Sequence, residues 1–330
     1  MKKTKKVLVS GYLGFGNFGD EAIFESLCIL LQSLKFDVQV LSDKNYYEIK
    51  TYKRLNVLPA VWNSDIVISG GGSLLQNKTS NESLMYYLGI IFLAKLLGKK
   101  VIIFAQGIEP IIGKSYEILT RIALKLSDFV SVRDSNSQKL LKSWHIDSVL
   151  TYDPVYALLQ DVEKAPRKDG LVVQLRPVKG ATSSFVTGLA ESVLKYYKGE
   201  ITVLALQKDM DEAICTKFMH ALNKHGAQCR FAYHKSVDDT IDIINQAKYV
   251  ISTRLHGLIC ATALGAQTFA IPYDEKVKNF VREQRLQSLD ASVCTREELD
   301  GKIKKFFLTK EEPRKPKSFK WDKIYQALRK

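Results

Sequence analysis

The first half of the chain alternates short, β-branched apolar runs with longer amphipathic stretches. Helical periodicity covers Ala22–Leu34 and Ser83–Leu97, and strand-like runs stand before, between and after them. Those runs, each ending near Gly, Ser or Asp, are KVLVS, DVQVLSD, DIVISGG, KVIIFAQG and FVSVRDS. Strands that alternate with helices in this way predict a doubly wound parallel sheet.

A second series of the same kind follows a charged, proline-bearing stretch, DVEKAPRKDG, which indicates a linker. Its strand-like runs are LVVQLRP, ITVLALQ, RFAYH, YVISTRLHG and TFAIPYD. The sequence therefore predicts an α/β protein with two Rossmann-like lobes facing a cleft. The predicted division is an N-terminal lobe over residues 1–160, a C-terminal lobe over 168–300, and a basic C-terminal helix or tail over 301–330.

Composition supports two hydrophobic cores, because the chain has 330 residues and 46% hydrophobic content. The net charge of +14 lies mainly at the ends. Four lysines stand among the first six residues, and residues 301–330 hold eleven basic and three acidic side chains, so only +2 remains between them. A nucleic-acid-binding or other basic surface protein would spread its cations along one face. The basic ends instead indicate a solvated helix face or a contact with anionic lipid.

The chain has no segment that predicts membrane insertion or export. Its longest apolar run, Leu84–Ala94, ends at Lys95 and is shorter than the roughly 20 residues that span a bilayer. Val7–Val9 is too short for the apolar part of a signal peptide. The five scattered cysteines include no C-x-x-C pair, so neither disulfides nor a metal site are indicated. We expect a cytoplasmic protein, with the inner face of the membrane as a candidate partner for its basic ends.

Three glycines form a G-x-G-x-x-G pattern between a predicted strand and a predicted helix: Gly14, Gly16 and Gly19. A dinucleotide site would leave the following helix N-terminus open for a pyrophosphate. Here Asp20 and Glu21 stand there and would repel a diphosphate. Asp43 nevertheless stands at the end of the second predicted strand, at about the separation from the glycines along the chain that is expected of a ribose-binding acid. Two interpretations stay open, a nicotinamide oxidoreductase and a tight turn in which Asp20 caps its own helix.

A second glycine cluster, SGGGS, ends the third predicted strand at Ser69–Ser73. Open α/β sheets bind ligands at this edge, and consecutive glycines allow a close approach of the backbone. A tight turn without a ligand explains the same pattern.

The segment STRLHGL follows another strand and contains Arg254 and His256. Separated by one residue in an extended segment, the two side chains are expected on the same side. Arginine binds carboxylate or phosphate through a planar fork, and histidine donates a proton near neutral pH. The pair predicts a site for a small acidic substrate that requires acid catalysis.

Seven motifs together resemble, in order and spacing, the polysaccharide pyruvyl transferase family and especially its bacterial cell-wall branch. They are GYLGFGNFGDEAI, VISGGGSLLQN, FAQGIEP, SVRDSNS, LTYDPVY, STRLHGL and IPYDEKV, and they span roughly residues 7–285. The resemblance implies a GT-B-like fold and transfer of the enolpyruvyl group of phosphoenolpyruvate to a sugar. It further implies that a cyclic ketal forms, that phosphate is released, and that no cofactor or metal is needed. A GT-B-type glycosyltransferase that uses a nucleotide sugar remains the alternative.

The resemblance also implies roles for individual residues. Arg254 and His256, with the backbone at Leu255, would form the phosphoenolpyruvate site, with His256 as general acid. Arg133 and Lys276 would be further contacts for the anion.

On the acceptor side, Asp20 is the candidate base. The remaining candidate acceptor or loop contacts are Gly14, Gly16, Asn17, Gly71, Gly72, Ser73 and Arg176. Asn77 and Glu109 depart from the family pattern, in which Asp and Gly are common there, and both bear on the identity of the acceptor. A lipid-linked oligosaccharide is the acceptor that the cell-wall branch implies.

Overall fold

The computed structural model describes residues 4–46, 48–165, 169–309 and 317–329, which divide into two compact units. The first unit comprises the described residues of 1–15, 20–160 and 318–330, and the second comprises those of 16–19 and 161–317. The division falls between residues 160 and 161. Residues 16–19 and 318–330 each belong to the other unit from the one their position in the chain suggests, and the described residues 301–309, which were predicted as tail, belong to the second unit. Residues 166–168 of the predicted linker and 310–316 of the predicted tail lie outside the described residues, as do Lys2 and Lys3.

The first unit is built on a parallel sheet of seven strands: β1 Lys6–Ser10, β2 Asp37–Leu41, β3 Lys50–Tyr52, β4 Ile66–Ser69, β5 Lys100–Gln106, β6 Phe129–Val132 and β7 Val149–Leu150. Their order across the sheet is β3-β2-β1-β4-β5-β6-β7. The helices between them are α1 Phe18–Ser33, α2 Val57–Trp62, α3 Asn81–Leu96, α4 Lys114–Leu126, α5 Ser135–Ser143 and α6 Val155–Leu159. Alternate strand residues such as Leu8, Val67 and Val101 pack in one core with α2, α3 and α4. The strands are apolar on both faces, as a helix-covered parallel sheet requires.

The second unit repeats this architecture with six parallel strands: β8 Gly170–Gln174, β9 Glu200–Ala205, β10 Cys229–Tyr233, β11 Tyr249–Ser252, β12 Gln267–Ala270 and β13 Gln287–Ser288. Their order is β10-β9-β8-β11-β12-β13. The helices are α7 Ser183–Tyr196, α8 Lys208–Lys224, α9 Val237–Asn245, α10 Leu255–Leu264, α11 Glu275–Gln284 and α12 Arg296–Leu308. Val173, Val203 and Ile251 face a core shared with α7, α8 and α12. Both units thus show the strand order of a Rossmann sheet, in which ligands bind where the order reverses.

The chain then returns to the first unit and ends its described part in α13, Asp322–Arg329. Phe319 and Trp321 pack against Phe104, with ring centroids 5.8 and 6.2 Å away. The Lys320 amide donates to the Thr151 carbonyl at 3.1 Å. Of the predicted basic tail, α13 is therefore docked on the first unit through one face and exposes its charged residues on the other. Residues 301–308 are instead the end of α12 and pack in the core of the second unit through Ile303 and Phe306. Among the described residues, no helix is both long and apolar enough to cross a membrane.

Candidate functional site

The strand order of the second unit reverses between β8 and β11, and Arg254 is the second residue after β11. Arg254 has extended backbone angles, whereas His256 already lies in the first turn of α10. The expectation that both residues extend the strand is therefore wrong. The Leu258 amide donates to the Arg254 carbonyl at 3.1 Å, and this bond closes the helical turn around His256.

The Arg254 guanidinium forms a bidentate ion pair with Asp211, in the first turn of α8. Nε donates to Oδ2 and Nη2 donates to Oδ1, both at 2.7 Å, and Nη2 also donates to Gln207 Oε1 at 3.1 Å. Asp211 is fully buried and also accepts from Gln174 Nε2 at 3.2 Å and from the Gln207 amide at 3.1 Å. This geometry fixes the plane of the guanidinium. The bonds use Nε and Nη2 of the guanidinium.

Gln174, the last residue of β8, holds the backbone between β11 and α10. Its Oε1 accepts from the Arg254 amide at 3.0 Å and from Ser252 Oγ at 2.8 Å. The neighbouring strands β8 and β11 are therefore joined at their carboxyl ends by a side chain as well as by the sheet. The position of Arg254 is set from both its backbone and its side chain.

Residues 16–19 of the glycine-rich loop belong to this second unit. The Phe18 amide donates to the Leu206 carbonyl at 3.0 Å, and Asn17 forms an antiparallel bridge with Gln207. A Cβ atom on Gly19 would lie 1.8 Å from His256 Nδ1, so the imidazole requires glycine at this position. The loop thus packs against the predicted general acid, whereas the sequence analysis placed it on the first lobe.

Asn17, rather than Asp20, caps helix α1. The helix begins at Phe18, and Asn17 Oδ1 accepts from the Gly19 amide at 3.2 Å, as an N-cap does. The cap interpretation of Asp20 is therefore wrong, because Asp20 is the third residue of the helix. Its carboxylate lies against the glycine cluster of the first unit, since a Cβ on Gly72 would be 2.9 Å from Asp20 Oδ1.

Arg176, beyond the end of β8, lies on the ring of Tyr273. Its Nη1 donates to the Tyr273 hydroxyl at 2.7 Å, and its guanidinium carbon is 4.8 Å from the ring centroid. Burial and the Asp274 carboxylate raise the pKa of Tyr273 to about 12, although Arg176 and Arg254 act in the opposite direction. The phenol therefore stays protonated at neutral pH and can donate a hydrogen bond to an anion.

Lys276 is the remaining predicted cation of this unit. Its Nζ lies 3.3 Å from the carboxylate of Asp274, which also caps α11 by accepting from the Val277 amide at 2.9 Å. Lys276 is about one-third exposed, so a ligand can compete with Asp274 for its ammonium group.

In the first unit, the SGGGS cluster follows β4 where the strand order reverses between β1 and β4. A Cβ on Gly71 would be 2.6 Å from Ile23 Cγ2, and Gly72 has a φ of +97°. The Gly107 amide donates to the Gly72 carbonyl at 2.7 Å. Close packing alone accounts for these glycines, and their predicted contact with an acceptor stays a prediction.

Arg133 is buried beside this cluster. Its Nη1 donates to Asp153 Oδ2 at 3.3 Å, and its Nη2 donates to Ser73 Oγ at 2.9 Å. Gly107 provides the space for it, because a Cβ there would lie 2.8 Å from the guanidinium. Arg133 thus ties the glycine cluster to Asp153, and its charge is balanced within the first unit. Its predicted role as an anion clamp stays a prediction.

The amide of Gly14 already has a carboxylate partner. It donates to Glu21 Oε1 at 3.0 Å, and the same carboxylate accepts from the Tyr46 hydroxyl at 2.8 Å. Gly14 and Gly16 have φ values of +86° and +62°, as the tight loop requires. Asp43 accepts from the Arg54 amide at 3.2 Å. An acid at the place of the pyrophosphate disfavours the dinucleotide interpretation.

The two departures from the family pattern stabilise the segment that follows β5. Asn77 Oδ1 accepts from the Ile112 amide at 2.9 Å, and its Nδ2 donates to the Ile112 carbonyl at 2.7 Å. Aspartate could accept the first bond but could not donate the second. Glu109 forms an ion pair with Lys78. Both departures therefore have local structural partners.

The second unit holds four of the five residues predicted for the donor side, Arg254, Leu255, His256 and Lys276, whereas Arg133 lies in the first unit. It also holds Arg176 and Asn17, which were predicted as acceptor or loop contacts. Three residues that hold Arg254 were not predicted from the sequence: Asp211, Gln207 and Gln174. Tyr273 had no predicted role either, although the IPYDEKV motif contains it.

Comparison with known proteins gives one family match and several structural matches. A family model described as polysaccharide pyruvyl transferase matches residues 17–275. A search of curated proteins finds no significant match.

Three solved structures illustrate the structural likeness. A putative UDP-N-acetylglucosamine 2-epimerase from Listeria monocytogenes is 12% identical, with 99% of this chain and 96% of that chain covered at a TM-score of 0.68. The S. aureus MnaA–UDP structure is 11% identical, with the same coverage and a TM-score of 0.69. A glycosyltransferase from Rickettsia africae is 15% identical, with 93% and 89% covered at a TM-score of 0.58. At these identities the likeness shows the fold alone, and the predicted GT-B-like α/β class is confirmed.

Proposed function

Because the chain belongs to the polysaccharide pyruvyl transferase family, we propose that it transfers the enolpyruvyl group of phosphoenolpyruvate to a sugar and closes a cyclic pyruvate ketal. The proposed acceptor is a sugar of a cell-wall or surface polysaccharide precursor, carried on a lipid in the cytoplasm. One observation carries the proposal for the donor. At the β8/β11 edge, Arg254 is held rigidly by buried Asp211, next to His256 at the start of α10.

The donor is a small anion with a carboxylate and a phosphate, and the second unit offers groups for both. The helix α10 begins without an acidic residue in its first turn, so its dipole and the backbone from Leu255 favour an anion. Arg254 contributes its guanidinium, and the protonated Tyr273 hydroxyl contributes a hydrogen bond. Arg176 and Lys276 add positive charge at the same edge of the sheet. We assign the anionic groups of the donor to this set.

In the proposed reaction, His256 protonates the methylene carbon of phosphoenolpyruvate. C2 then has oxocarbenium character, and a first sugar hydroxyl forms a C–O bond to it. A second hydroxyl forms the second C–O bond as the bond between C2 and the phosphate oxygen breaks, and phosphate leaves. A well-placed acid contributes on the order of 10²–10⁴-fold. Gly19 permits the position of the imidazole. Asp20 is the proposed base for the proton of the first hydroxyl, and the proton of the second hydroxyl passes to the departing phosphate.

Phosphoenolpyruvate acts as a co-substrate in this scheme. The reaction is a group transfer, so the proposal includes neither a redox cofactor nor a metal ion. The cations of the donor site stabilise the charge on the departing phosphate.

Titration calorimetry of phosphoenolpyruvate tests the donor. We expect binding to the wild-type chain and a loss of about 2–5 kcal/mol in Arg254→Ala, as for a truncated partner of a buried charge pair. Arg282→Ala is the matched control, because Arg282 is exposed on α11 of the same unit. If Arg254→Ala fails to fold, Lys276→Ala and Arg176→Ala replace it, and each should weaken the binding of phosphoenolpyruvate.

Two further ligands and one further variant decide among the alternatives. A UDP-sugar is included because a structural neighbour was solved with UDP, and NADH tests the oxidoreductase interpretation. Binding of either one in place of phosphoenolpyruvate would refute the proposal.

His256→Asn should retain donor binding and lose phosphate release in the presence of acceptor. A His256→Asn variant with normal turnover would exclude His256 as the acid.

A further inference from the structure

Exposed apolar side chains are concentrated on one helical layer of the first unit. The layer consists of α2, α3 and α4, which pack side by side over the same core. The exposed apolar residues of this layer, with Leu55 just before α2, are here called the apolar face: Leu55, Leu58, Trp62, Leu96, Ile118, Ile122 and Leu126. Isolated exposed apolar residues are common, but a set on adjacent helices marks an interaction site.

Three of these residues lie together at one end of the layer. Each of the three helices ends on an exposed apolar residue, which is Trp62 in α2, Leu96 in α3 and Leu126 in α4. Helices that connect parallel strands run in the same direction, so these three ends lie at the same edge of the sheet. Trp62 is 66% exposed and Leu96 is 83% exposed.

The apolar face continues from this edge along α4. Ile118, Ile122 and Leu126 are spaced by four residues and therefore form a stripe along one side of the helix. Leu58 and Trp62 have the same spacing on α2. The face is thus an extended surface that reaches the end of the layer, and not a single protruding residue.

Basic residues surround the end of the apolar face. A cavity of about 490 Å³ beside Leu96 is lined by four lysines and one aspartate: Lys95, Lys99, Lys100, Lys323 and Asp128. Lys95 pairs with Asp128 at 2.8 Å. Lys99 donates to the carbonyls of Trp62 and Ser64, at 2.8 and 2.7 Å, and these neutral groups leave its charge uncompensated. The cavity therefore has the charge to hold an anionic headgroup.

We propose that the apolar face and its lysine-lined cavity dock this protein on an anionic lipid bilayer. Tryptophan, leucine and isoleucine beside lysines are the residues with which peripheral proteins enter the boundary between headgroups and acyl chains. Anionic lipids attract the lysines at the same time. A second copy of the chain fits this surface less well, because a two-fold interface would bring the same lysines together. The proposal is independent of the identity of the donor substrate.

Vesicle co-sedimentation of the full chain tests the proposal. Vesicles of phosphatidylcholine with phosphatidylglycerol should bind the wild type, and pure phosphatidylcholine should bind it much more weakly. The variant Leu58→Ser/Trp62→Ser/Leu96→Ser should lower the partition coefficient by about a hundredfold. The matched control is Ile29→Ser/Val293→Ser/Leu308→Ser, which removes exposed apolar residues elsewhere and should bind as the wild type does. Equal binding of the two triple variants would overturn the proposal.

Three further measurements identify the occupant of the surface. Brominated lipids should quench tryptophan emission in the wild type and have a much smaller effect in Trp62→Phe, because Trp62 is the most exposed tryptophan of the chain. Lys125 is exposed in the last turn of α4, next to Leu126, and Lys323 lines the cavity. The variant Lys125→Glu/Lys323→Glu should therefore abolish the preference for anionic vesicles. Sedimentation velocity without lipid should show a monomer. A dimer that the first triple variant dissociates would assign the face to a second copy instead. Phosphoenolpyruvate binding should be unchanged in all of these variants, which separates a failure here from a failure of the proposed function.

Discussion

Replacement of Asp211 by asparagine isolates the charge on which the position of Arg254 depends. The carboxylate is fully buried and accepts four hydrogen bonds, of which two come from the Arg254 guanidinium at 2.7 Å. Asparagine keeps the shape but removes the negative charge and turns one acceptor into a donor that faces another donor. The buried guanidinium is then left without its counter-ion. Loss of one partner of a buried pair costs about 3–5 kcal/mol.

This cost should appear as a lower melting temperature of the second unit. For a domain of this size, each kcal/mol corresponds to about 2–4 °C, so Asp211→Asn should melt roughly 6–20 °C below the wild type. Calorimetry and far-UV circular dichroism are the suitable probes. Tryptophan emission is not, because Trp62, Trp144 and Trp321 all lie in the first unit.

Asp209→Asn is the matched control, because Asp209 stands in the same first turn of α8 but is exposed. It should melt within about 2 °C of the wild type, since an exposed charge contributes little. The double variant Asp211→Leu/Arg254→Met should recover most of the stability and still fail to bind phosphoenolpyruvate. A normal melting temperature for Asp211→Asn, or an equal loss in Asp209→Asn, would refute this account of the ion pair.

Three further predictions concern single residues. Gly19→Ala should displace the His256 imidazole and lower turnover by at least about 10²-fold. Gly301→Ala is the control and should keep normal turnover, because a Cβ at that position meets open space. Equal turnover of the two variants would exclude the proposed role of Gly19. Asn77→Asp should cost about 1–3 kcal/mol in urea unfolding, because the Ile112 carbonyl loses its donor. Asn56→Asp at an exposed position is the control, and equal midpoints for the two variants would contradict the anchoring role. Burial raises the pKa of Cys215 to about 12. N-ethylmaleimide should therefore leave Cys215 unmodified at pH 8 until the chain unfolds, and the more exposed Cys229 should react first. Rapid labelling of Cys215 in the folded protein would contradict this prediction.

Local sequence patterns predicted the elements that build the two sheets. Runs such as KVLVS and YVIST contain enough β-branched residues to mark a strand without any tertiary information. The edge strands β3, β7 and β13 were not predicted, because two or three residues are too few to show a period of two. The start of α10 was misplaced because the strand pattern continues through Thr253, and the hydrogen bond from Leu258 that begins the helix has no signal in the sequence.

The residues of the candidate site that are neighbours in the sequence could be predicted, and those that are far apart in the sequence could not. Arg254 and His256 stand in one motif, but Asp211 is 43 residues earlier and has the appearance of an ordinary acid in the first turn of a helix. Gly19 against His256 was equally hidden, because a glycine-rich turn gives no information about which sheet it packs on. Distant pairs of this kind depend on the three-dimensional course of the chain.

The division of the chain between the two units also determines the order in which each can be completed during synthesis. A ribosome makes residues 161–317 before 318–330, so the second unit has all its strands while the first still lacks α13 and the aromatic residues that cover Phe104. Domains generally fold from the N-terminal end as they are made. Here the residues that pack on Phe104 are made only after the whole second unit, so the last packing step of the first unit follows the synthesis of the second.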